Sequence, residues 1–510
     1  MLSTLRTLCL KGIDGKEVSA EVYIASGLPS YTVVGLPDAA VKEAKDRVVA
    51  AVRNSGYDFP SRRITVNLAP AEIRKAGTHF DLPIALGVIA ATGRLGEQPP
   101  ARLKETFFIG ELALDGRLRP VAGVLPMLLA LKDRGAAAVV PEGNAAEAAV
   151  SGVDCLAAAS LKEAAAWVRG EGELRPCAPA PASQGATAVY PDFSEVKGQA
   201  FAKRAMEIAA AGSHNIILVG PPGAGKSMLA RRFGALLPPM TPDESLETTK
   251  LYSVSGLARA GALLTNRPFR DPHHTISDAA LIGSGSSPRP GEVSLAHNGV
   301  LFLDEFPEFS RQAIEALREP LEACTVTVAR VRESVCYPAR FLLVAAMNPC
   351  PCGYLGHQAR ECACTPVQVQ RYRAKVSGPI LDRIDLQVQL SAVKYSDWAG
   401  LPSGESSEEI AARVLAARRL QRARFGREKA NAFMAGAELR RHCALPPGAS
   451  AVLETAMNRL GFSARSLDKI LRISRTIADL EGSRDIRKED VIEAVQYRML
   501  DKAAVPAAAI

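Results

Sequence analysis

One segment, residues 216–233, constrains the fold of this 510-residue chain more than any other. The wholly apolar run 216–219 predicts a buried strand, and a helical run follows at 228–233. In such a unit, backbone N–H groups of the connecting loop wrap phosphates at a helix N-terminus. The loop here is glycine-rich and ends in a lysine and a serine: Gly220, Pro221, Pro222, Gly223, Ala224, Gly225, Lys226 and Ser227.

This pattern predicts a nucleotide-binding P-loop. Lys226 would contact the β- and γ-phosphates of ATP, and Ser227 would ligate Mg²⁺. The alternative is a glycine-rich turn that binds no nucleotide. The strand before the loop and the helix after it argue against that alternative.

Two later strand ends carry polar groups suited to ATP hydrolysis. Asp304 and Glu305 close the apolar strand 300–303, where a Walker B pair would reach the P-loop. Asp304 would hold Mg²⁺ through water, and Glu305 would polarise the attacking water. Asn348 ends the apolar strand 341–347 and would orient that water, the role called sensor 1. Taken alone, the acidic pair would be solvated and Asn348 would be a turn former.

Three blocks divide the chain, which is too long for one hydrophobic core. Residues 1–172 mix short β-rich runs with helical ones, and the proline-rich stretch 173–191 predicts a linker. Residues 192–395 alternate helices with wholly apolar strands, which indicates an α/β domain with a parallel sheet covered on both faces. Residues 396–510 are helical, with apolar stripes at Leu467, Ile470, Ile473, Ile477 and Leu480 and at Val491, Ile492, Val495 and Met499.

Composition and charge bear on the compartment of the protein and on the partners that it could bind. No run approaches the ~20 apolar residues that span a bilayer, and the N-terminus lacks a secretory signal pattern. We therefore expect a cytoplasmic protein without membrane contact. The net charge of +8 is compatible with nucleic-acid binding but also common among proteins that bind none.

Four of the ten cysteines are clustered in a loop, 350–364. They form two C-x-C pairs, and four thiolates from two short loops suit a tetrahedral structural Zn²⁺. His357 lies between the pairs and is a possible substitute ligand. The alternative is four reduced thiols in a cytoplasmic loop. The predicted zinc ligands are Cys350, Cys352, Cys362 and Cys364.

Two arginines are candidates for stabilising charge on the γ-phosphate. Arg383 precedes an alternating strand that begins at Ile384, and Arg465 lies at the start of a helix in the third block. Ring-forming ATPases supply such a cation from the neighbouring subunit. From spacing alone, either arginine is equally well a surface residue.

Segments along essentially the whole chain resemble the magnesium-chelatase-like AAA+ ATPases: residues 34–43, 63–70, 80–86, 110–116, 268–275 and 345–352. The resemblance implies an AAA+ P-loop core with a C-terminal helical lid similar to that of magnesium chelatase. It also implies an α+β N-terminal domain like that of Lon protease, with a ribosomal S5-like fold. Where Lon-type enzymes carry the nucleophilic Ser and its Lys, this chain has His79 and Leu125, so no acyl transfer is expected.

The same resemblance implies a hexameric ATPase with helicase activity that promotes branch migration of DNA during natural transformation. Arg383 would be an arginine finger acting in trans, and Arg465 the sensor 2 residue. Residues 265–292 resemble the helix-2 insertion, and residues 325–338 resemble the pre-sensor-1 hairpin. Arg330 and Arg332 near its tip would contact the DNA backbone, although a solvated hairpin tip is the alternative.

Two other functions remain open from the residues. A protein-remodelling AAA+ ring usually carries an aromatic residue in its pore loop, and the candidate loops here show none at the tip. A chelatase-type motor subunit is the third hypothesis, and the N-terminal block and the cysteine cluster argue against it. An ATPase rate that rises with DNA, rather than with protein or porphyrin, would discriminate among the three.

Overall fold

A computed structural model describes residues 1–96, 100–178, 190–258, 263–283, 288–330, 333–357, 360–391 and 404–498. Two sheets and a C-terminal group of helices organise these residues. Arg332 and Met499 lie outside the described ranges.

The N-terminal region is an α+β domain with ten described strands. They are β1 (Leu2–Lys11), β2 (Asp14–Ala25), β3 (Ser30–Val34), β4 (Arg63–Ala69), β5 (Phe107–Phe108), β6 (Glu111–Leu112), β7 (Leu118–Arg119), β8 (Ala138–Pro141), β9 (Cys155–Ala158) and β10 (Arg175–Pro176). Eight of them form one mixed sheet in the order β10-β9-β8-β5-β1-β2-β4-β3, and β6 pairs with β7.

Six helices accompany this sheet: α1 (Ala39–Asn54), α2 (Asp81–Ala91), α3 (Ala101–Glu105), α4 (Val124–Leu129), α5 (Ala145–Ala149) and α6 (Leu161–Arg169). The Asp38 side chain caps α1 by accepting the Val41 N–H at 2.9 Å. The predicted apolar stripe of α1 is buried, and α2 is buried along nearly its whole length. Burial of these helices against the sheet forms the N-terminal core.

The ATPase region has a five-stranded parallel sheet, as the apolar strands predicted. Its strands are β11 (Ile216–Val219), β12 (Phe269–Arg270), β13 (Val300–Leu303), β16 (Leu342–Met347) and β17 (Leu386–Gln389), and β14 (Thr325–Arg330) with β15 (Glu333–Pro338) forms a separate hairpin. The sheet order is β12-β13-β16-β11-β17. Its helices are α7 (Ala200–Gly212), α8 (Lys226–Arg232), α9 (Pro242–Val254), α10 (Asp278–Ile282), α11 (Glu292–Leu295), α12 (Arg311–Ala316), α13 (Arg318–Ala323), α14 (Pro366–Arg373) and α15 (Gly378–Leu381).

The C-terminal region is helical, as predicted. It contains α16 (Ser407–Phe425), α17 (Gly436–His442), α18 (Pro447–Leu460), α19 (Ala464–Leu480) and α20 (Lys488–Gln496). The apolar stripe of α19 packs into the same cluster as β11 and β16, so the lid shares a core with the ATPase sheet. The stripe predicted for α20 is wrong at Ile492, which is 41% exposed, whereas Val491 is buried.

The predicted linker begins too early. Arg175 and Pro176 pair with β9 as the edge strand of the N-terminal sheet, and the Cys177 N–H donates to the Cys155 carbonyl at 2.8 Å. An edge strand tolerates proline because one side of its backbone needs no ladder hydrogen bond. The proline-rich composition therefore predicted a linker at two residues that form an edge strand.

The N-terminal domain contacts the ATPase region at α9 and at the β14–β15 hairpin. The Gly123 N–H donates to the Ser253 carbonyl at 3.0 Å, and Ser253 Oγ donates to Glu147. Ile13, in the β1–β2 turn, packs into the apolar cluster that contains Val335 of β15. Within the described ranges, no helix has the length and apolarity needed to cross a bilayer.

Candidate nucleotide-binding site

The P-loop residues lie where the sequence predicted, between the carboxyl end of β11 and the start of α8. Gly223 and Gly225 have φ angles of 77° and 89°, in the left-handed region that favours glycine. Gly220 packs tightly, because a Cβ there would lie 2.9 Å from the Leu390 carbonyl oxygen. The loop therefore needs glycine at these three positions.

Lys226 is held by oxygen acceptors at the mouth of the P-loop. Its Nζ donates to the carbonyl oxygens of Gly220 and Pro221 at 2.7 and 3.0 Å. It also donates to Asn348 Oδ1 at 3.0 Å, which brings the lysine and the predicted sensor 1 residue together. Burial lowers the pKa of Lys226, although the charges of Asp304 and Glu305 oppose this shift.

The predicted Walker B residues lie beside the P-loop. Asp304 follows β13, and its Oδ2 accepts a 2.6 Å hydrogen bond from Ser227 Oγ. These two oxygen donors form the kind of ligand pair that Mg²⁺ takes in proteins. Glu305 has a φ of 51° and an exposed side chain, and its Oε2 lies 3.2 Å from Nδ1 of His274. The sequence motifs did not single out His274, although it lies in the matching segment 268–275.

The other two candidate residues lie at the opposite edge of the sheet. Arg383 and Arg465 line one cavity of about 400 Å³ together with Asn215, Phe341 and Asp385. Those three residues directly precede β11, β16 and β17, so the cavity opens at the amino ends of the strands. The structure therefore brings Lys226, Ser227, Asp304, Glu305 and Asn348 together, and it places the two arginines elsewhere.

Arg383 is engaged by its own chain. Its Nη2 forms an ion pair with Glu322, and its Nη1 donates to the Pro379 carbonyl at 2.6 Å. The hydrogen bond from Arg383 lowers the pKa of Glu322. Sequence patterns gave no signal for Glu322, because this contact joins residues 61 positions apart in the chain.

The buried carboxylate of Asp385 joins the segment that contains Arg383 to the lid. Lys469 Nζ lies 2.8 Å from Asp385 Oδ1, and His214 Nδ1 lies 3.5 Å from Asp385 Oδ2. The Asn215 N–H also donates to Asp385 at 3.2 Å. Burial opposes ionisation of Asp385, but Lys469 and His214 hold its pKa well below the ordinary value.

The four predicted zinc ligands converge. The Sγ atoms of Cys350, Cys352, Cys362 and Cys364 all lie within 4.8 Å of one another. Three Sγ–Sγ distances are 3.4, 3.5 and 3.6 Å, close to the ~3.8 Å edge of a sulfur tetrahedron around zinc. A backbone hydrogen bond from Tyr354 lowers the pKa of Cys352 to about 6, which favours the thiolate that metals bind. His357, the possible substitute ligand, is not part of this four-cysteine group, and its Nδ1 accepts a hydrogen bond from the Arg360 N–H.

The cysteine loop touches the P-loop. A Cβ on Gly353, which has a φ of 84°, would lie 2.7 Å from Pro222 Cδ. Leu355, Gly356 and His357 line a small cavity with Gly220 and Pro221. The geometry of this loop and that of the nucleotide site are therefore linked by direct packing.

The remaining predicted positions lie in the N-terminal domain and in the β14–β15 hairpin. His79 and Leu125 are both buried in the N-terminal domain, and burial lowers the pKa of His79 to about 4. Arg330 ends β14 and pairs in register with Glu333, so it lies next to the hairpin turn as predicted. Arg332 falls outside the described residues.

Comparison with known proteins decides the family. The chain matches "Magnesium chelatase, subunit ChlI" over residues 192–398, "Subunit ChlI of Mg-chelatase" over 20–144 and "Magnesium chelatase, subunit ChlI C-terminal" over 404–498. It is 42% identical to competence protein ComM of Haemophilus influenzae, covering 96% of each chain. This chain belongs to the magnesium-chelatase-like ComM family. It is also 42% identical to the uncharacterized protein YifB of Escherichia coli, over 99% of this chain and 98% of YifB.

Membership of the ComM family makes the chain an AAA+ ATPase with a magnesium-chelatase-like C-terminal domain, as the sequence predicted. A more distant similarity reaches the DNA replication licensing factor MCM4 of rice, with 26% identity over 57% of this chain and 31% of MCM4.

Proposed function

We propose that this ComM-family ATPase is a DNA motor that promotes branch migration of recombination intermediates, as in integration of transforming DNA. The observation that carries the proposal is the nearly full-length similarity to a protein named for competence. The weaker similarity to a DNA replication licensing factor favours DNA over a polypeptide as the substrate. Protein remodelling and chelatase-type activity are the alternatives that the experiment below separates from it.

ATP hydrolysis would use the residues gathered at the carboxyl edge of the sheet. Lys226 donates to three protein oxygens, and phosphate oxygens of ATP would replace them as acceptors. Ser227 and Asp304 would hold Mg²⁺, which neutralises charge on the phosphates when it is bound. Glu305 would accept a proton from the attacking water, and Asn348 would orient that water.

Completion of the site would require a second copy of the chain. Arg383 and Arg465 line the cavity at the amino edge of the sheet, away from the Lys226 of their own chain. Both would therefore act on ATP bound by a neighbouring subunit, as arginine fingers do. A closed ring, which we propose to be a hexamer, gives every site such a neighbour. Arg383 would have to leave Glu322 to serve in that role.

Cys350, Cys352, Cys362 and Cys364 would hold a structural Zn²⁺. The support for this part of the proposal is the convergence of four Sγ atoms and the backbone N–H groups directed at them. Because the loop packs on Pro222, the metal would also stabilise the shape of the P-loop.

We further propose that the DNA backbone is contacted by Arg330, which ends β14 beside the hairpin turn, and by Arg332, two positions later in the sequence. Two cationic residues this close in the sequence suit phosphate contacts that form and break with each ATP cycle. The packing of Ile13 in the cluster that contains Val335 would connect the N-terminal domain to that hairpin.

The test is movement of a labelled four-way DNA junction by the purified protein with ATP and Mg²⁺. The proposal predicts strand exchange that stops in Lys226→Ala and Arg383→Ala. Because the two residues would meet only across subunits, mixing the two inactive variants should restore part of the activity. Absence of movement by the parent protein, together with ATP hydrolysis stimulated by an unfolded polypeptide or by a porphyrin, would contradict the proposal.

A further inference from the structure

A second cavity lies between the ATPase core and helix α16, apart from the P-loop. It encloses about 320 Å³ and adjoins the cavity that contains Arg383, because Ser213, Phe341 and Phe433 line both. Among the residues that the structure describes, six cationic side chains and two carboxylates, those of Glu244 and Glu428, line its wall. The cations are Arg267, Arg340, Arg418, Arg419, Arg422 and Lys429.

Four of these six cations form ion pairs with carboxylates of the protein. The carboxylate of Glu244 forms ion pairs with two guanidinium groups, at 2.9 Å from Nη2 of Arg267 and 3.1 Å from Nη2 of Arg340. Other ion pairs join Arg422 to Glu428 and Lys429 to Glu438. The wall is therefore left with more positive than negative charge even after its internal pairs are counted.

Arg418 and Arg419 are the two lining cations outside these pairs, and Arg418 is the less exposed of the two. Its Nη2 donates to two uncharged acceptors, the Ala210 carbonyl at 3.0 Å and Ser213 Oγ. Its Nε is buried and has no hydrogen-bond partner in the part of the chain that the structure describes. Burial, together with Arg267 and Arg340 nearby, lowers the pKa of Arg418 to about 9, so the group still carries its charge at neutral pH.

A partly buried guanidinium without a counter-ion is costly, and an anion bound beside it would remove part of that cost. We propose that this cavity binds a small phosphate-bearing anion, with Arg418 as its principal ligand and Arg419 at its rim. A guanidinium group donates charge-assisted hydrogen bonds to phosphate oxygens, and Nη1 of Arg418 has no acceptor among the residues that the structure describes, so it is free to donate to a phosphate in the cavity.

The class of ligand follows from charge and shape. The excess of positive charge suits an anion with more than one negative charge, such as a phosphate ester, better than a single carboxylate. The volume of about 320 Å³ falls at the lower end of the range for small-molecule sites. The wall combines residues of the core and of α16, so a bound anion would tie the lid to the ATPase core.

Inorganic pyrophosphate is the probe, measured by isothermal titration calorimetry on the full chain. The P-loop is first saturated with a non-hydrolysable ATP analogue and Mg²⁺, which leaves only other phosphate sites available. We expect the parent protein to bind pyrophosphate and Arg418→Met to bind it about tenfold more weakly or worse. The matched control is Arg441→Met, because Arg441 is an exposed arginine of the lid that does not line this cavity.

Affinity for the ATP analogue reports whether each variant keeps its fold and its P-loop. If Arg418→Met fails that check, Arg419→Met decides, because Arg419 is exposed and its loss should weaken pyrophosphate binding several-fold without unfolding. Equal affinity in the parent and in the deciding variant would overturn the proposal. A parent protein that binds no pyrophosphate at millimolar concentration would also overturn it. Binding by the monomer but not by the assembled oligomer would do the same, because a neighbouring subunit would then fill the cavity. Loss of single-stranded DNA binding in the variant with unchanged pyrophosphate binding would assign the cavity to the DNA backbone instead.

Discussion

Lys469→Met is expected to loosen the contact between the ATPase sheet and lid helix α19. Lys469 and Asp385 are each 8% exposed, and their charged atoms lie 2.8 Å apart. Removing one partner of a buried ion pair leaves the other charge unpaired, which typically costs about 3–5 kcal/mol. His214 cannot take over the role of Lys469, because burial lowers its pKa and keeps the imidazole neutral at pH 7.

Amide hydrogen exchange in α19 measures this loss directly. At about 1.4 kcal/mol per tenfold, the expected cost corresponds to exchange that is roughly 10²- to 10⁴-fold faster. Lys488→Met is the matched control, because Lys488 is exposed at the start of α20. The double variant with Asp385→Asn and Lys469→Met should exchange more slowly than Lys469→Met alone, since no buried charge is left unpaired. Exchange within threefold of the parent, or a double variant as fast as the single one, would refute the reasoning.

Three further predictions concern other parts of the molecule. The folded-state pKa of His79, about 4, lies below the ordinary 6.5, so its stabilising contribution is complete above about pH 6.5 and is lost as pH falls to 4. Urea unfolding followed by Trp167 fluorescence in a Trp398→Phe background should show a loss of about 3 kcal/mol over that range, and His79→Gln should lack it. Cys350→Ser should lower bound zinc, measured by elemental analysis, from one ion per chain to well below half, whereas Cys177→Ser should not. Gly353→Ala should weaken ATP-analogue binding about tenfold, because the added methyl group meets Pro222 and the φ of 84° disfavours alanine; unchanged affinity would contradict the packing argument.

Local chemistry made the nucleotide site predictable. A P-loop, an acidic pair and an amide each follow an apolar strand, and parallel strands bring their carboxyl ends to one edge of a sheet. The contacts of Lys226 with Asn348 and of Ser227 with Asp304 are consistent with that placement. The cysteine cluster was predictable for a similar reason, since short spacing leaves four thiols little freedom to separate.

The far edge of the sheet was not predictable in the same way. Arg383 and Arg465 lie 82 positions apart, and only the docking of α19 on the core brings them into one cavity. The pairing of Arg383 with Glu322 and the position of Arg418 also depend on tertiary packing. Composition misled at Arg175 and Pro176, where proline-rich sequence contains an edge strand, and at Ile492, where an apolar residue remains exposed.

The central claim is that ATP hydrolysis by this protein drives movement on DNA. Its most direct test is the steady-state rate of ATP hydrolysis with and without single-stranded and four-way-junction DNA, measured beside Lys226→Ala. We predict that DNA stimulates hydrolysis strongly in the parent protein and that the variant hydrolyses no ATP under either condition. A parent rate that no DNA changes would contradict the claim and would direct the search towards a protein substrate.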